Sequence, residues 1–86
     1  MNWQKLIEDA ANRIEPYIVK TPTFTTRDII KNQSIELKFE HLQHTGSFKP
    51  RGAFNSLLSA NVPKAGVVAA SGGNHGAAVA YAATKL

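Results

Sequence analysis

The stretch from residue 45 to residue 53 is the most informative part of this chain, and it reads Thr45-Gly46-Ser47-Phe48-Lys49-Pro50-Arg51-Gly52-Ala53. It places one lysine at the start of a predicted helix, directly after an aromatic residue and a glycine-bearing turn. Pro50 suits a first helical turn, where its missing N–H leaves no hydrogen bond unmade. Gly46 lets the backbone approach a flat group closely. This setting indicates a lysine with a chemical task; the plain alternative is a capped surface helix with a solvated Lys49.

The segments around this turn predict alternating helices and strands. Apolar residues at helical spacing predict helices over 3–14, 50–60 and 74–85, and the alternation from Ile35 to Glu40 predicts a strand with one polar face. The apolar run 66–70 predicts a strand buried on both faces. The helix over 74–85 is apolar around its whole circumference, so we expect it to be packed on several sides. The alternation of strands and helices along the chain predicts an α/β fold, with an open parallel-type sheet and flanking helices. We expect residues 1–86 to form a single, incomplete domain.

A second turn lies between the predicted buried strand and the last helix, and it reads Ser71-Gly72-Gly73-Asn74-His75-Gly76. Ligands bind at this end of the strands in open α/β sheets. Backbone N–H groups at a helix N-terminus favour a carboxylate, and the Ser71 and Asn74 side chains add donors. The alternative is an ordinary strand-to-helix turn with Asn74 as the helix cap and His75 on the surface.

The composition excludes several classes of function. The chain has 86 residues and no cysteine, which excludes disulfides and thiolate chemistry. Its three histidines lack metal-binding spacing, so we expect no metal site. The net charge of +4 comes from scattered basic residues, which argues against nucleic-acid binding. No apolar run is long enough for a membrane helix, so a cytoplasmic protein is expected.

The segment Lys38–Ala53 closely resembles the lysine segment of the fold-type II pyridoxal-phosphate enzymes, which share the tryptophan synthase β-like fold. The likeness is to the serine/threonine dehydratase and serine racemase branch, whose pattern runs K-x-E-x-x-Q-x-T-G-S-F-K-x-R-G-A. Thr21-Pro22 also resembles a Thr-Pro pair of this family. The resemblance implies pyridoxal 5'-phosphate as the cofactor, with Lys49 as the Schiff-base lysine and catalytic base and Phe48 beside the pyridine ring.

The second turn resembles the S-x-G-N-H loop of the same family. That resemblance implies that Asn74 binds the cofactor's ring hydroxyl, and that Ser71, Gly72, Gly73 and His75 surround the substrate carboxylate. One position differs from the serine racemases, which carry a serine as the opposite-face acid/base where this chain has Gly72. We therefore expect elimination to be favoured over racemisation.

The resemblance implies a dehydratase that converts L-serine or L-threonine into a 2-oxo acid and ammonia. The family's phosphate-binding loop and the residue facing the pyridine nitrogen are absent from these 86 residues. We therefore expect the isolated chain to be inactive, and a longer enzyme to be homo-oligomeric. Three alternatives stay open: a serine racemase-like enzyme, a non-catalytic fragment or interaction subunit, and a small basic binding module.

Overall fold

The computed structural model describes all 86 residues and contains three α-helices and one pair of strands. The elements are α1 (Trp3–Ile14), β1 (Thr23–Thr26), β2 (Ile35–Lys38), α2 (Lys49–Ser59) and α3 (Asn74–Lys85). Short 3-10 helices occupy Glu15–Tyr17, Glu40–Leu42 and His44–Gly46. The predicted helices over 3–14 and 74–85 are confirmed residue for residue, and the one over 50–60 differs by one residue at each end.

The ends of the helices follow from local hydrogen bonds. The side chain of Asn2 accepts a hydrogen bond from the Lys5 backbone N–H at 3.1 Å, which caps α1. The Ser47 hydroxyl accepts from the Lys49 N–H at 3.3 Å, just before Pro50 enters the first turn of α2. Each of these bonds connects residues only two or three positions apart, so it depends on the local sequence alone.

The sheet differs from the one expected. β1 and β2 pair antiparallel, with Thr23 opposite Lys38 and Thr26 opposite Ile35, so the expected open parallel-type sheet is not formed within this chain. Residues 66–70 form no strand and are exposed, with Val68 99% accessible. A buried parallel strand needs hydrogen-bonding neighbours at its edges and covered faces, and nothing else in these residues supplies them.

The core lies between the three helices and is small. Its buried apolar side chains are Ile14, Ala53, Phe54, Ala78 and Ala82. The Phe54 ring stacks on Tyr17 with centroids 5.3 Å apart, and meets the edge of Tyr81 at 6.1 Å. Two tyrosines on either side of one buried ring therefore connect the end of α1 to α3 through α2.

The expectation that α3 is packed on several sides is wrong for this structure. Ala78 and Ala82 face α2 and are buried, whereas the alanines on the other faces of α3 are exposed. An alanine-rich helix is covered only where another element lies against it, and α2 provides one such surface. None of the three α-helices combines the length and the apolar character that a membrane span requires.

Candidate functional site

An open cleft of about 470 Å³ lies between the first half of α2, the segment 67–68 and α3. Lys49 and Phe48 stand at one side of it, and His75 stands at another. The walls between them are formed by the small or apolar residues Gly52, Ala53, Leu57, Val67, Val68 and Val79, together with Ser56. Phe48 and Lys49 of the lysine segment and His75 of the second turn therefore lie around one cavity.

Lys49 begins α2, and its ammonium group lies over the ring of Phe48, 5.5 Å from the centroid. The Lys49 side chain is half-buried, whereas Phe48 is 61% exposed. An amine held over an aromatic face and beside an apolar wall is restricted in direction. Phe48 therefore limits the directions available to the Lys49 side chain at the mouth of the cleft.

The turn before Lys49 has an unusual backbone. Thr45 has φ 62° and Gly46 has φ 81°, two successive residues in the left-handed region. Glycine adopts this conformation freely, but for threonine it costs about 1–2 kcal/mol. The Gly46 N–H donates to the carbonyl of Gln43 at 2.9 Å, which closes the turn.

Gln43 ties this turn to the segment that follows α1. Its buried side-chain amide donates to the carbonyl of Val19 at 2.8 Å and accepts from the Val19 N–H, also at 2.8 Å. The Gln43 side chain thus bonds both the N–H and the carbonyl of Val19, as the backbone of a neighbouring β-strand would. Gln43 matches the glutamine of the family pattern, but its position in a loop did not show which group it would bond.

A second polar cluster lies on the same framework. The Glu40 carboxylate accepts two hydrogen bonds from the Arg51 guanidinium, from Nε and, at 3.1 Å, from Nη2. The Thr21 hydroxyl donates to the same carboxylate at 2.5 Å, and Lys38 Nζ donates to the Thr21 carbonyl at 3.0 Å. Together these bonds hold the first turn of α2 against the end of β2 and the entry to β1.

The hydrogen bonds from Arg51 lower the pKa of Glu40 from 4.5 to about 2, with Thr21 and the charge of Lys38 acting in the same direction. The same pair raises the pKa of Arg51. The sequence analysis predicted that Lys38 and Glu40 lie on the polar face of a strand, and it assigned no site role to Arg51. Their involvement in one network was missed because the partners are 11 to 19 residues apart.

The second turn has a different arrangement from the first. The Ser71 hydroxyl accepts hydrogen bonds from the backbone N–H groups of Gly73 at 3.2 Å and Gly76 at 3.1 Å. A Cβ placed on Gly76 would lie 2.5 Å from the Ser71 carbonyl oxygen, so only glycine fits there. A Cβ placed on Gly72 or Gly73 would meet nothing within 4 Å. Gly73 holds the N-cap position and Asn74 begins the helix, so the alternative with Asn74 as the cap is wrong.

The structure brings together only part of the predicted site. Lys49, Phe48 and His75 line the main cleft, while Ser71 lines an adjoining cleft of about 270 Å³ with Gly76. Gly72, Gly73 and Asn74 line neither cleft and are exposed. No three His, Asp or Glu side chains are grouped so that they could hold a metal ion.

Lys49 stands at the start of α2, beside the ring of Phe48 and on the same cleft as His75. An amine in such a position could react with a carbonyl group of a bound molecule. Residues 14–86 match the family described as pyridoxal-phosphate dependent enzyme. The chain belongs to this family, whose members use pyridoxal phosphate, and the fold-type II assignment from the sequence is confirmed.

Several named relatives are similar to this chain. The crystal structure of a T.th. threonine deaminase matches 99% of the chain with a TM-score of 0.81 and 46% identity, over 31% of its own length. L-threo-3-hydroxyaspartate ammonia-lyase of a Pseudomonas species is 48% identical over 90% of the chain. Serine racemase of Dictyostelium discoideum is 46% identical over 91% of it. The chain spans about a quarter of the length of these two curated relatives.

Proposed function

We propose that this chain contributes the lysine-bearing part of a pyridoxal-phosphate-dependent ammonia-lyase that converts L-serine or L-threonine into a 2-oxo acid and ammonia. The observation that carries the proposal is the shared cleft of Lys49, Phe48 and His75. The names of the relatives support the reaction class, since a threonine deaminase and a hydroxyaspartate ammonia-lyase are among them. Because the chain spans about a quarter of such relatives, we place the activity in a longer polypeptide.

The residues of the cleft fit the cofactor. The volume of about 470 Å³ lies within the range of small-molecule sites, about 300–1,000 Å³. The cleft offers the primary amine of Lys49, which can react with an aldehyde, and the aromatic ring of Phe48 beside it. At Gly52 a Cβ atom would meet nothing within 4 Å, so a flat ring can come close to the backbone there. We propose that Lys49 holds the cofactor and that Phe48 adjoins its ring. Asn74 lies outside the cleft in this structure, and we propose on the family resemblance alone that it binds the ring hydroxyl.

Bound pyridoxal phosphate supplies a ring that takes up the charge developing at the substrate α-carbon. In the proposed reaction the Lys49 amine removes the proton from that carbon. The cluster of Glu40 and Arg51 fixes the backbone two residues beyond Lys49, which holds the amine in reach of the proton. Phe48 shields one side of the amine from water.

The second turn is proposed to hold the substrate carboxylate. The N-terminus of a helix favours an anion, and the N-terminus of α3 carries Ser71, Gly72, Gly73, Asn74 and His75. The N–H groups of Gly73 and Gly76 already donate to the Ser71 hydroxyl. His75 already faces the cleft of Lys49. Gly72 and Gly73 are unobstructed on the Cβ side, so their backbone is accessible to a ligand.

The proposal is tested by labelling. The chain is incubated with pyridoxal phosphate, reduced with borohydride, digested and analysed by mass spectrometry. We expect the label on Lys49 in preference to the six other lysines of the chain. Lys49→Ala should leave only the low, even labelling of the remaining lysines, and Lys85→Ala serves as the matched control. Even labelling of all lysines in the wild-type chain would contradict a pre-formed site.

The reaction itself requires the rest of an enzyme. We suggest a chimera in which this chain replaces the matching 31% of the T.th. threonine deaminase, to which it is 46% identical. Ammonia and 2-oxo acid release from L-serine and L-threonine should be detectable in the chimera and absent from its Lys49→Ala variant. Steady release of 2-oxo acid by the 86-residue chain alone would contradict our expectation that it is inactive.

Racemisation is the second candidate, because serine racemases are among the relatives. Gly72 has no side chain that could protonate the opposite face of the α-carbon, which favours elimination.

A non-catalytic interaction subunit stays an alternative, supported by the exposed apolar side chains Trp3, Leu6 and Ile7 of α1. Location in the cytoplasm and self-association of a longer protein stay predictions.

A further inference from the structure

A contact between His44 and Tyr81 connects the lysine turn to helix α3. The two rings are stacked with centroids 4.6 Å apart, and the Tyr81 hydroxyl lies 3.1 Å from His44 Nδ1. Both residues are half-buried. A stacked pair with an added polar bond is more directional than an apolar contact, because the bond fixes the relative position of the two rings.

His44 is placed where such a contact matters for the backbone. It directly precedes Thr45 and Gly46, the two residues in the left-handed conformation, and it directly follows Gln43, whose side chain is bonded to Val19. A turn with a threonine at positive φ persists only when its surroundings hold it. Gln43 anchors the turn on the side of the segment after α1, and the contact of His44 with Tyr81 anchors it on the side of α3.

The geometry points to His44 and Tyr81 as positioning residues for Lys49. Their contact holds the 45–46 turn in its left-handed form and so directs Phe48 and Lys49 toward the cleft against α3. Neither residue lines that cleft, so neither touches a ligand there. The inference rests on the proposed function only in naming Lys49 as the reacting group.

Tyr17 provides a matched control for Tyr81. Both tyrosines pack against the same buried ring of Phe54, but only the hydroxyl of Tyr81 bonds to the lysine turn. Tyr81→Phe and Tyr17→Phe each remove one hydroxyl and preserve ring packing. His44→Asn retains a polar group close to the position of Nδ1, whereas His44→Ala removes it.

The test combines two measurements on the purified chain and these four variants. The Gly46 N–H donates to the Gln43 carbonyl at 2.9 Å. Amide hydrogen exchange reports whether this bond opens to solvent more often in a variant than in the wild-type chain. Labelling with pyridoxal phosphate and borohydride reports the ratio of Lys49 to the other lysines. For Tyr81→Phe and His44→Ala we expect Gly46 exchange to be about 2- to 10-fold faster, as for a lost hydrogen bond, and the Lys49 ratio to fall by a similar factor. Tyr17→Phe should leave both unchanged, and His44→Asn should restore most of the protection.

Amide exchange rates in α1 distinguish a local effect at the lysine turn from a general loss of stability. Faster exchange throughout α1 as well as at Gly46 in Tyr81→Phe would mean that the hydroxyl supports the fold at large, and would overturn the inference. Equal Gly46 exchange in Tyr81→Phe and Tyr17→Phe would also overturn it. If Gly46 responds as expected but the wild-type chain labels all lysines evenly, the contact that holds the turn stands, and a pre-formed lysine site in this chain is contradicted.

Discussion

The Glu40 carboxylate and the Arg51 guanidinium form a two-point ion pair that joins the 3-10 turn after β2 to the first turn of α2. The side chains are only 17% and 32% exposed, respectively. Arg51 lies two residues beyond Lys49, so the pair sets the start of the helix that carries the candidate reactive amine. A bidentate pair of low exposure is among the stronger polar contacts in proteins.

Removing the charge of Glu40 should destabilise the chain. We expect Glu40→Gln to lower the free energy of unfolding by about 1–3 kcal/mol, the range for hydrogen bonds to charged groups. Urea titration followed by circular dichroism measures this. Asp9→Asn is the matched control, because it breaks the Lys5–Asp9 pair of α1, whose side chains are 67% and 44% exposed. That exposed pair should contribute about 0.5 kcal/mol or less; equal losses in the two variants would contradict the special role of Glu40.

The same pair predicts a pH dependence of stability. The pKa of Glu40 is lowered from 4.5 to about 2, so between these values the unfolded chain binds more protons than the folded one. Its contribution is therefore fully present above pH 4.5 and is lost as the pH falls toward 2. Unfolding titrations across this range should show a steeper decline for the wild-type chain than for Glu40→Gln. Parallel curves would argue against the lowered pKa.

Two glycines predict opposite effects of the same substitution. Gly76→Ala places a Cβ 2.5 Å from the Ser71 carbonyl oxygen, so the turn must shift and stability should fall, by about 1–3 kcal/mol as for other overpacked sites. Gly52→Ala, in the first half of α2 with nothing within 4 Å, should raise stability by about 0.5–1 kcal/mol. Thermal unfolding of both variants decides the matter, and a stable Gly76→Ala would show that the second turn is not tightly held.

The exposed backbone at Gly72 predicts a change of reaction outcome. A Cβ there meets nothing within 4 Å and the residue has no left-handed φ, so Gly72→Ser should be accommodated without loss of stability. In the threonine deaminase chimera we expect this serine to raise the ratio of D-serine formed to 2-oxo acid formed. Chiral chromatography of the products measures the ratio. An unchanged ratio, with elimination intact, would mean that Gly72 does not face the substrate α-carbon.

The reactive amine gives the simplest prediction of activity. In the chimera, Lys49→Ala should abolish ammonia release, because no other lysine lines the cleft. Lys38→Ala should retain activity with reduced stability, since Lys38 Nζ bonds only the Thr21 carbonyl in the supporting network. Release of 2-oxo acid by Lys49→Ala at a rate near that of the unmodified chimera would contradict the assignment of Lys49.

The sequence by itself determined the helices α1, α2 and α3 and the position of Lys49 at a helix start, because helical spacing acts over a few residues. It also determined the strand β2, which ends at Lys38, two residues before the predicted end at Glu40. Only the tertiary structure decided which distant groups meet: Glu40 with Arg51, Gln43 with Val19, and His44 with Tyr81. It also decided that residues 66–70 form no strand here and that α3 is covered on one face. Strand formation and burial depend on partners remote in the chain, and a local pattern shows the capacity for them without showing that the partner is there.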